Sequence, residues 1–365
     1  MTFETLLNNH VFAAMITMPL SPFSTSSSKP GHGEVHLGIL PPNITTFRSL
    51  NYTYPLKLVT SAPHKLPPDE DNSADRPPRP STVPLLFTLS YGGGLLPPVS
   101  LNLILTLDPL ARLTVTTQGS TKIFPSPPCS CPSQHPAPTA SQTIHATLHP
   151  QSALLLSPDP SQPFLESHYV QTQLFMVAPT ASLCVLDWVV EGRRARGESW
   201  KAGSWRGRNE VWRPGLNDGR GKKLLVRDSV ALLDGPDGAG QSSLKREGKG
   251  VFGTIIILGQ VFDALGAFFI EEFGKLPRIG GKEWGDEVIV EEVGTGRERA
   301  KWRKDRTINE KEDGVLWTAV ETRGLVLVKF AAREVEGARK WLGSMWTFEG
   351  TISREFGDGG LMSVR

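Results

Sequence analysis

Ser182-Leu183-Cys184-Val185-Leu186-Asp187-Trp188-Val189-Val190 runs straight into Glu191-Gly192-Arg193-Arg194-Ala195-Arg196-Gly197-Glu198. Leu183, Val185, Trp188 and Val190 are β-formers in an apolar run, so the first part reads as a buried strand. The second part is a turn that carries three arginines and ends on a Gly-Glu pair. A dry, unpaired carboxylate at Asp187 would cost on the order of several kcal/mol, so it needs a cation, a donor or a metal. With arginines so close, an Asp–Arg ion pair is the simplest account.

Working outward, further short β-type runs fall at 34–40, 56–60, 83–90, 99–107, 112–117, 143–148, 153–157, 168–176, 205–212 and 223–233, each bounded by Pro, Gly, Asn or Asp. Tyr169-Val170-Gln171-Thr172-Gln173-Leu174-Phe175 alternates with period two, as a half-buried strand does. The period changes after Val251. The spacing predicts a strand over 253–258, a helix from about Asp263, a hairpin over 315–330, and an amphipathic helix bearing Val335, Ala338, Trp341, Leu342 and Met345. The run from Val251 to Phe273 is too charged for a membrane span. No repeat at a fixed period is legible. About a dozen strands and two late helices make the chain mainly β, although strands alone would equally make a sandwich.

Composition narrows the function. A formal net charge of +2 argues against a dedicated nucleic-acid or acidic-membrane surface. Residues 1–190 hold 27 of the 30 prolines but only eight of the 39 Lys and Arg, so a proline-punctuated half precedes a highly charged one. Three cysteines make no disulfide framework and suit a reducing compartment, and no signal peptide is evident, so a cytoplasmic protein is expected. No Gly-x-Ser-x-Gly elbow, Walker loop or His-Glu-x-x-His helix is present, so an enzyme is not expected.

The stretch from Asp187-Trp188 to Gly192-Arg193…Ala195-Arg196-Gly197-Glu198 resembles a signature of the urease accessory protein UreD (UreH) family. Thr116-Thr117-Gln118-Gly119-Ser120-Thr121-Lys122-Ile123-Phe124 is similar to a second signature. Pro55-Leu56-Lys57-Leu58, Gly92-Gly93-Gly94-Leu95 and Leu156-Ser157-Pro158-Asp159-Pro160-Ser161-Gln162-Pro163-Phe164 resemble three more blocks, in order. Leu96-Pro97-Pro98 stands where the family usually has an aspartate-bearing turn, so any role of that aspartate lapses here.

The resemblance implies a layered, β-helix-like many-stranded fold with about two α-helices in the C-terminal third. Composition adds a flexible leader over 1–30, ending in a Ser-rich run, and low-complexity insertions at about 63–84, 125–142, 235–250 and 275–313 in one UreD-like domain over 31–365. The resemblance further implies a maturation chaperone that docks on apo-urease, engages a UreF-type protein and through it a UreG-type GTPase, and supports nickel delivery. Nickel would be bound transiently, with no tightly held cofactor.

Several residues are candidates for handling the metal. Asp187 and Glu198 suit a conduit, which works through weak successive polar positions because a tight site traps its ion. Thr116, Thr117, Gln118, Ser120 and Thr121 would line the same passage or simply pair strands. His32, Glu34 and His36 alternate, so in a strand they share one face, and imidazole with carboxylate suits nickel. Cys129, Cys131 and His135 form a softer set. Trp341 and Trp346 are candidates for partner docking, with core packing as the plainer account. Two other readings stay open: an interaction scaffold that never touches metal, and an enzyme using Asp187 and Glu198 as an acid/base pair.

Overall fold

The computed structural model describes residues 29–67, 79–126, 138–215, 221–233, 247–276 and 295–365. The first strands are β1 (His32–Leu40), β2 (Ile44–Tyr52), β3 (Leu56–Thr60), β4 (His64–Lys65), β5 (Thr82–Val83), β6 (Leu85–Ser90) and β7 (Gly94–Leu95). Next come β8 (Ser100–Leu107), β9 (Arg112–Thr116), β10 (Thr121–Ile123), β11 (Ala140–Leu148), β12 (Ala153–Leu156), β13 (Ser161–Pro163), β14 (His168–Val177) and β15 (Ser182–Val190). The arginine turn leads to β16 (Ser204–Pro214), β17 (Lys222–Leu233) and β18 (Val251–Leu258). Helices α1 (Asp263–Gly274) and α2 (Thr295–Glu312), the hairpin β19 (Leu316–Thr322) and β20 (Leu325–Ala332), and helices α3 (Val335–Glu349) and α4 (Thr351–Phe356) complete the chain.

The strands form two sheets. One has nine, in the order β17-β16-β14-β11-β8-β1-β2-β5-β4. The other has eleven, in the order β19-β20-β18-β15-β12-β9-β6-β3, with β7, β10 and β13 attached beside it. From β8 onward the chain passes repeatedly between them. β8, β11, β14 and β16 pair in parallel in the first sheet, while β9, β12 and β15 pair in parallel in the second. This is the layered, β-helix-like coil expected from the sequence.

The crossings share a turn. Asp108-Pro109-Leu110-Ala111, His149-Pro150-Gln151-Ser152 and Ala178-Pro179-Thr180-Ala181 each close with a bond from the fourth N–H to the first carbonyl, at 3.1, 3.1 and 3.0 Å. Proline suits the second position of such a turn because its φ is already set. The prolines are 41 and 29 residues apart, so the two intervals are unequal. That inequality is why no fixed period is visible in the sequence.

Two cores result. Leu103, Leu105, Ile144, Phe175, Leu183, Val185 and Val189 fill the space between the sheets. Cys184, Leu186, Trp188, Ile255, Ile257, Phe269 and Trp341 lie on the other face of the eleven-stranded sheet, under the helices. Strand β15 therefore buries both faces, which explains its unbroken apolar run. Asp187 falls on the face that looks into the sandwich.

Some expectations need correction. The stretch read as a charged insertion over 275–313 contains the 18-residue helix α2. Its attachment escapes an apolar count: Trp302 stacks on Phe348 at 4.2 Å, and arginines reach under the helix. Glu272 on α1, fully buried, accepts from Arg299 at 3.0 Å and from Arg303 at 2.8 Å, with Arg306 at 3.6 Å. Four α-helices are described where two were expected. Trp341 and Trp346 are 4% and 0% exposed, so neither offers a docking surface. Trp341 packs on Phe269, Trp317 and Phe330 and donates to Glu310 at 3.0 Å. The leader up to residue 28, the Cys129, Cys131 and His135 set, and much of the expected insertions lie outside the described residues. Among the described residues no helix is long and apolar enough to cross a membrane.

Candidate functional site

The recognisable turn is a clasp. Arg193 bonds both carboxylate oxygens of Glu198, with Nε at 2.8 Å, and its guanidinium lies 4.2 Å from the Phe164 ring centroid. The Arg193 bond holds the Glu198 carboxyl below the usual carboxylate range. Gly192 is required by proximity, since a Cβ there would come 2.8 Å from the Glu198 carbonyl oxygen and 3.0 Å from that of Pro163. Gly197 takes φ +72°, the left-handed region that glycine enters without a steric penalty. Arg194 pairs with Glu191 and Glu334, and Arg196 is exposed. No arginine of the turn pairs with Asp187, so the expected Asp–Arg ion pair is not formed.

The threonine block closes a second local structure around Asp159. Thr117 Oγ1 lies 3.2 Å from Asp159 Oδ2, and the Gly119 N–H donates to the same oxygen at 2.8 Å. Arg339 on α3 bonds the other oxygen. Thr116 Oγ1 donates to the Ser157 carbonyl at 2.8 Å. Gln118 and Lys122 are exposed, while Ser120 and Thr121 are half-buried. The Thr116 and Thr117 hydroxyls therefore bind the Ser157 carbonyl and Asp159.

Glu34 and His36 do share the outer face of β1, but His36 Nε2 donates to Asp108 Oδ1 at 2.9 Å, and Arg48 holds the other oxygen at 3.0 Å. A guanidinium there is an unfavourable neighbour for a metal cation. Among the described residues no group of three or more His, Cys, Asp and Glu is placed to hold a metal ion.

Asp187 lies elsewhere, in a seam of polar side chains between the sheets. Gln171 Nε2 donates to Asp187 Oδ1 at 2.7 Å, and Asn209 Nδ2 to Oδ2 at 2.6 Å. The Tyr169 hydroxyl stands 3.3 Å from Gln171 Oε1 and 3.2 Å from Gln142 Oε1. On the other side Asp228 accepts from Thr254 Oγ1 at 3.1 Å and from Lys329 Nζ at 2.6 Å. Strand register explains the alignment. Asp187 pairs with Thr254 and Thr254 with Lys329 across one sheet, while Gln173 pairs with Asn209 and Asn209 with Asp228 across the other. Two facing rows, joined by Gln171 and Gln142 from the neighbouring row of the nine-stranded sheet, thus make one polar lane. It begins near half-buried Gln142 and ends at half-buried Lys329, one strand from the exposed Thr318 on edge strand β19.

The seam is electrostatically unusual. Burial raises the pKa of Asp187, and the bonds from Asn209 and Gln171 offset only part of the rise. Burial, with Asp187 nearby, also pushes the Tyr169 phenol up. Two acceptors remain unpartnered in the dry part of the seam: Asn209 Oδ1 and Gln173 Oε1, on side chains 2% and 3% exposed. Such atoms cost about 1–3 kcal/mol each when nothing meets them, so they ask for a donor, a water or a cation. All the groups that could ligate are oxygens, a hard set that holds a divalent ion loosely compared with thiolate or imidazole.

Asp187 and Glu198 have entirely separate partners, so the alternative reading of the two as an acid/base pair finds no shared site. Gln171, Asn209, Asp228, Thr254 and Lys329 were not singled out from the sequence. The period-two reading of 169–175 placed Gln171 and Gln173 on one face, which was the only available signal for them.

A coiled pair of sheets with a polar lane inside marks a layered β protein built to position buried side chains. The chain belongs to the UreD urease accessory protein family, whose profile matches residues 31–358. It is 28% identical over 344 residues to urease accessory protein 4 of Cryptococcus neoformans, covering 88% of this chain and 91% of that protein. It is 28% identical over 261 residues to a urease accessory protein ureD-like of Schizosaccharomyces pombe, covering 71% and 79%. Urease accessory protein D of Arabidopsis thaliana matches at 29% over 115 residues, covering 32% and 36%. Membership supports a role in urease maturation.

Proposed function

We propose that this chain is a cytoplasmic maturation chaperone that docks on apo-urease and, with a UreF-type protein and a UreG-type GTPase, supports nickel delivery to the urease active site. The observation that carries the reading is Asp187, a half-buried carboxylate held by two amides beside an unpartnered amide oxygen. A carboxylate paired with arginine has its oxygens committed to a cation, whereas Asp187 is held by neutral amides and has no cationic partner of its own. The chemistry is ligand exchange along oxygen donors, and GTP hydrolysis belongs to the partner.

The test is activation of apo-urease by the maturation proteins in defined nickel, with and without this chain. Activity is expected to depend on the chain. Asp187→Asn should still assemble the complex but lower activation at least tenfold. Full activation without the chain would overturn the proposal. A second reading, an interaction scaffold that never touches metal, is favoured by the fact that both Asp187 oxygens already have amide donors. Normal activation by Asp187→Asn would select it.

A further inference from the structure

The outer end of the seam is occupied by a cation that the chain itself supplies. Lys329 Nζ sits 2.6 Å from Asp228 Oδ1 and 3.3 Å from Thr254 Oγ1. Its side chain is 31% exposed against 10% for Asp228, so the ammonium is the outermost charge of the lane. Asp228 is on the nine-stranded sheet and Lys329 on the eleven-stranded one, so the pair closes the gap between them.

We propose that Lys329 is a tethered counter-cation that caps the seam while no metal is in it, and that a divalent cation enters or leaves by displacing it from Asp228. This rests on the reading of the seam as a path for nickel. Charge is the first argument. Asp187 and Asp228 face a single ammonium, and it is engaged by Asp228, so among the described seam residues one of the two carboxyl groups has no cationic partner. A divalent ion with Lys329 swung outward would compensate both carboxylates.

Geometry is the second argument. The lysine stem is long and unbranched, and the Phe252 ring lies 5.6 Å from the ammonium. A displaced ammonium thus keeps a cation–π partner near solvent. The third argument is the pair of unpartnered oxygens on Asn209 and Gln173, deeper in the same two rows. They are acceptors that the lysine does not reach, which is what a site left partly empty by its resident cation looks like. A lysine also gives a reason for weak binding, because a competing cation on a short tether returns as the metal moves on.

The experiment is equilibrium binding of Ni2+ to the purified full-length chain, with circular dichroism to verify folding. Lys329→Met, which keeps the stem and removes the charge, should bind Ni2+ at least tenfold more tightly than the parent. Lys329→Arg should stay within about threefold of the parent. The double variant Asp228→Asn with Lys329→Met removes both charges and should lose the gain, and it provides a folded control if the single variant is unstable. Unchanged or weaker Ni2+ binding by Lys329→Met would overturn the proposal. If Asp187→Asn still abolishes urease activation in that case, the path survives and only the cap is refuted. If Asp187→Asn activates normally, the path itself is refuted.

Discussion

Two clusters in this molecule bury carboxylates, and they treat them in opposite ways. Under the helices, Glu272 is fully buried among Arg299, Arg303 and Arg306, and Glu310 sits against Arg306 and two indole N–H groups. Between the sheets, Asp187 has two amides, and the nearest balancing cation is engaged by Asp228. The arginine cluster pulls Glu272 below the usual carboxylate range although burial pushes the other way. At Asp187 burial wins. The first arrangement gives each carboxylate an arginine neighbour and fastens α2 to the core, although burial still raises Glu310. The second leaves charge and acceptors unmet, which is a cost to the fold and an opportunity for a visiting cation.

The sharpest way to break this contrast is to truncate both carboxylates. Glu272→Ala leaves three arginines facing a buried void and should lower stability by about 3–5 kcal/mol, read as the midpoint of urea unfolding. Next in size is the turn clasp. Glu198→Gln should lower Tm by roughly 2–4 °C, and its effect should vanish in acid. The Glu198 pKa is depressed in the fold, so its contribution is full above the ordinary carboxylate range and is lost as pH falls through the folded value.

Asp187→Asn should have the opposite sign on stability. A carboxyl raised by burial contributes fully below its unfolded pKa and loses that contribution as pH rises through the folded one. The amide variant should therefore be as stable as the parent at neutral pH, or more stable by up to about 1 kcal/mol, while urease activation collapses. A neutral-pH Tm several degrees below the parent would place Asp187 with Glu272 as a structural charge. The smallest effect is expected at Arg196→Ala, on an exposed side chain, with a stability change within about 0.5 kcal/mol. A larger loss would mean that the recognisable turn has a partner outside this chain.

Much of the fold was legible in the residues. β15 announced itself by a run of apolar β-formers, and the hairpin of β19 and β20 by two β-type runs around Glu321-Thr322-Arg323. Helix α2 was not legible, because it is held by arginine stems, one indole and a buried glutamate instead of an apolar stripe. Strand β2, largely half-buried or exposed, gave no pattern to read. The arginine turn and the threonine block, singled out from the sequence, form local clasps around Glu198 and Asp159.

The sequence by itself determined that the chain is a many-stranded β protein of a recognisable family and that Asp187 sits within an apolar strand of it. These are properties of runs and spacings that neighbouring residues impose on each other. Only the tertiary structure decided what Asp187 meets. Its partners come from strands 16 and 22 residues away, and the Asp228–Lys329 pair spans 101 residues. Cross-strand register sets such contacts, and register is a property of two sheets at once that no local stretch of sequence contains.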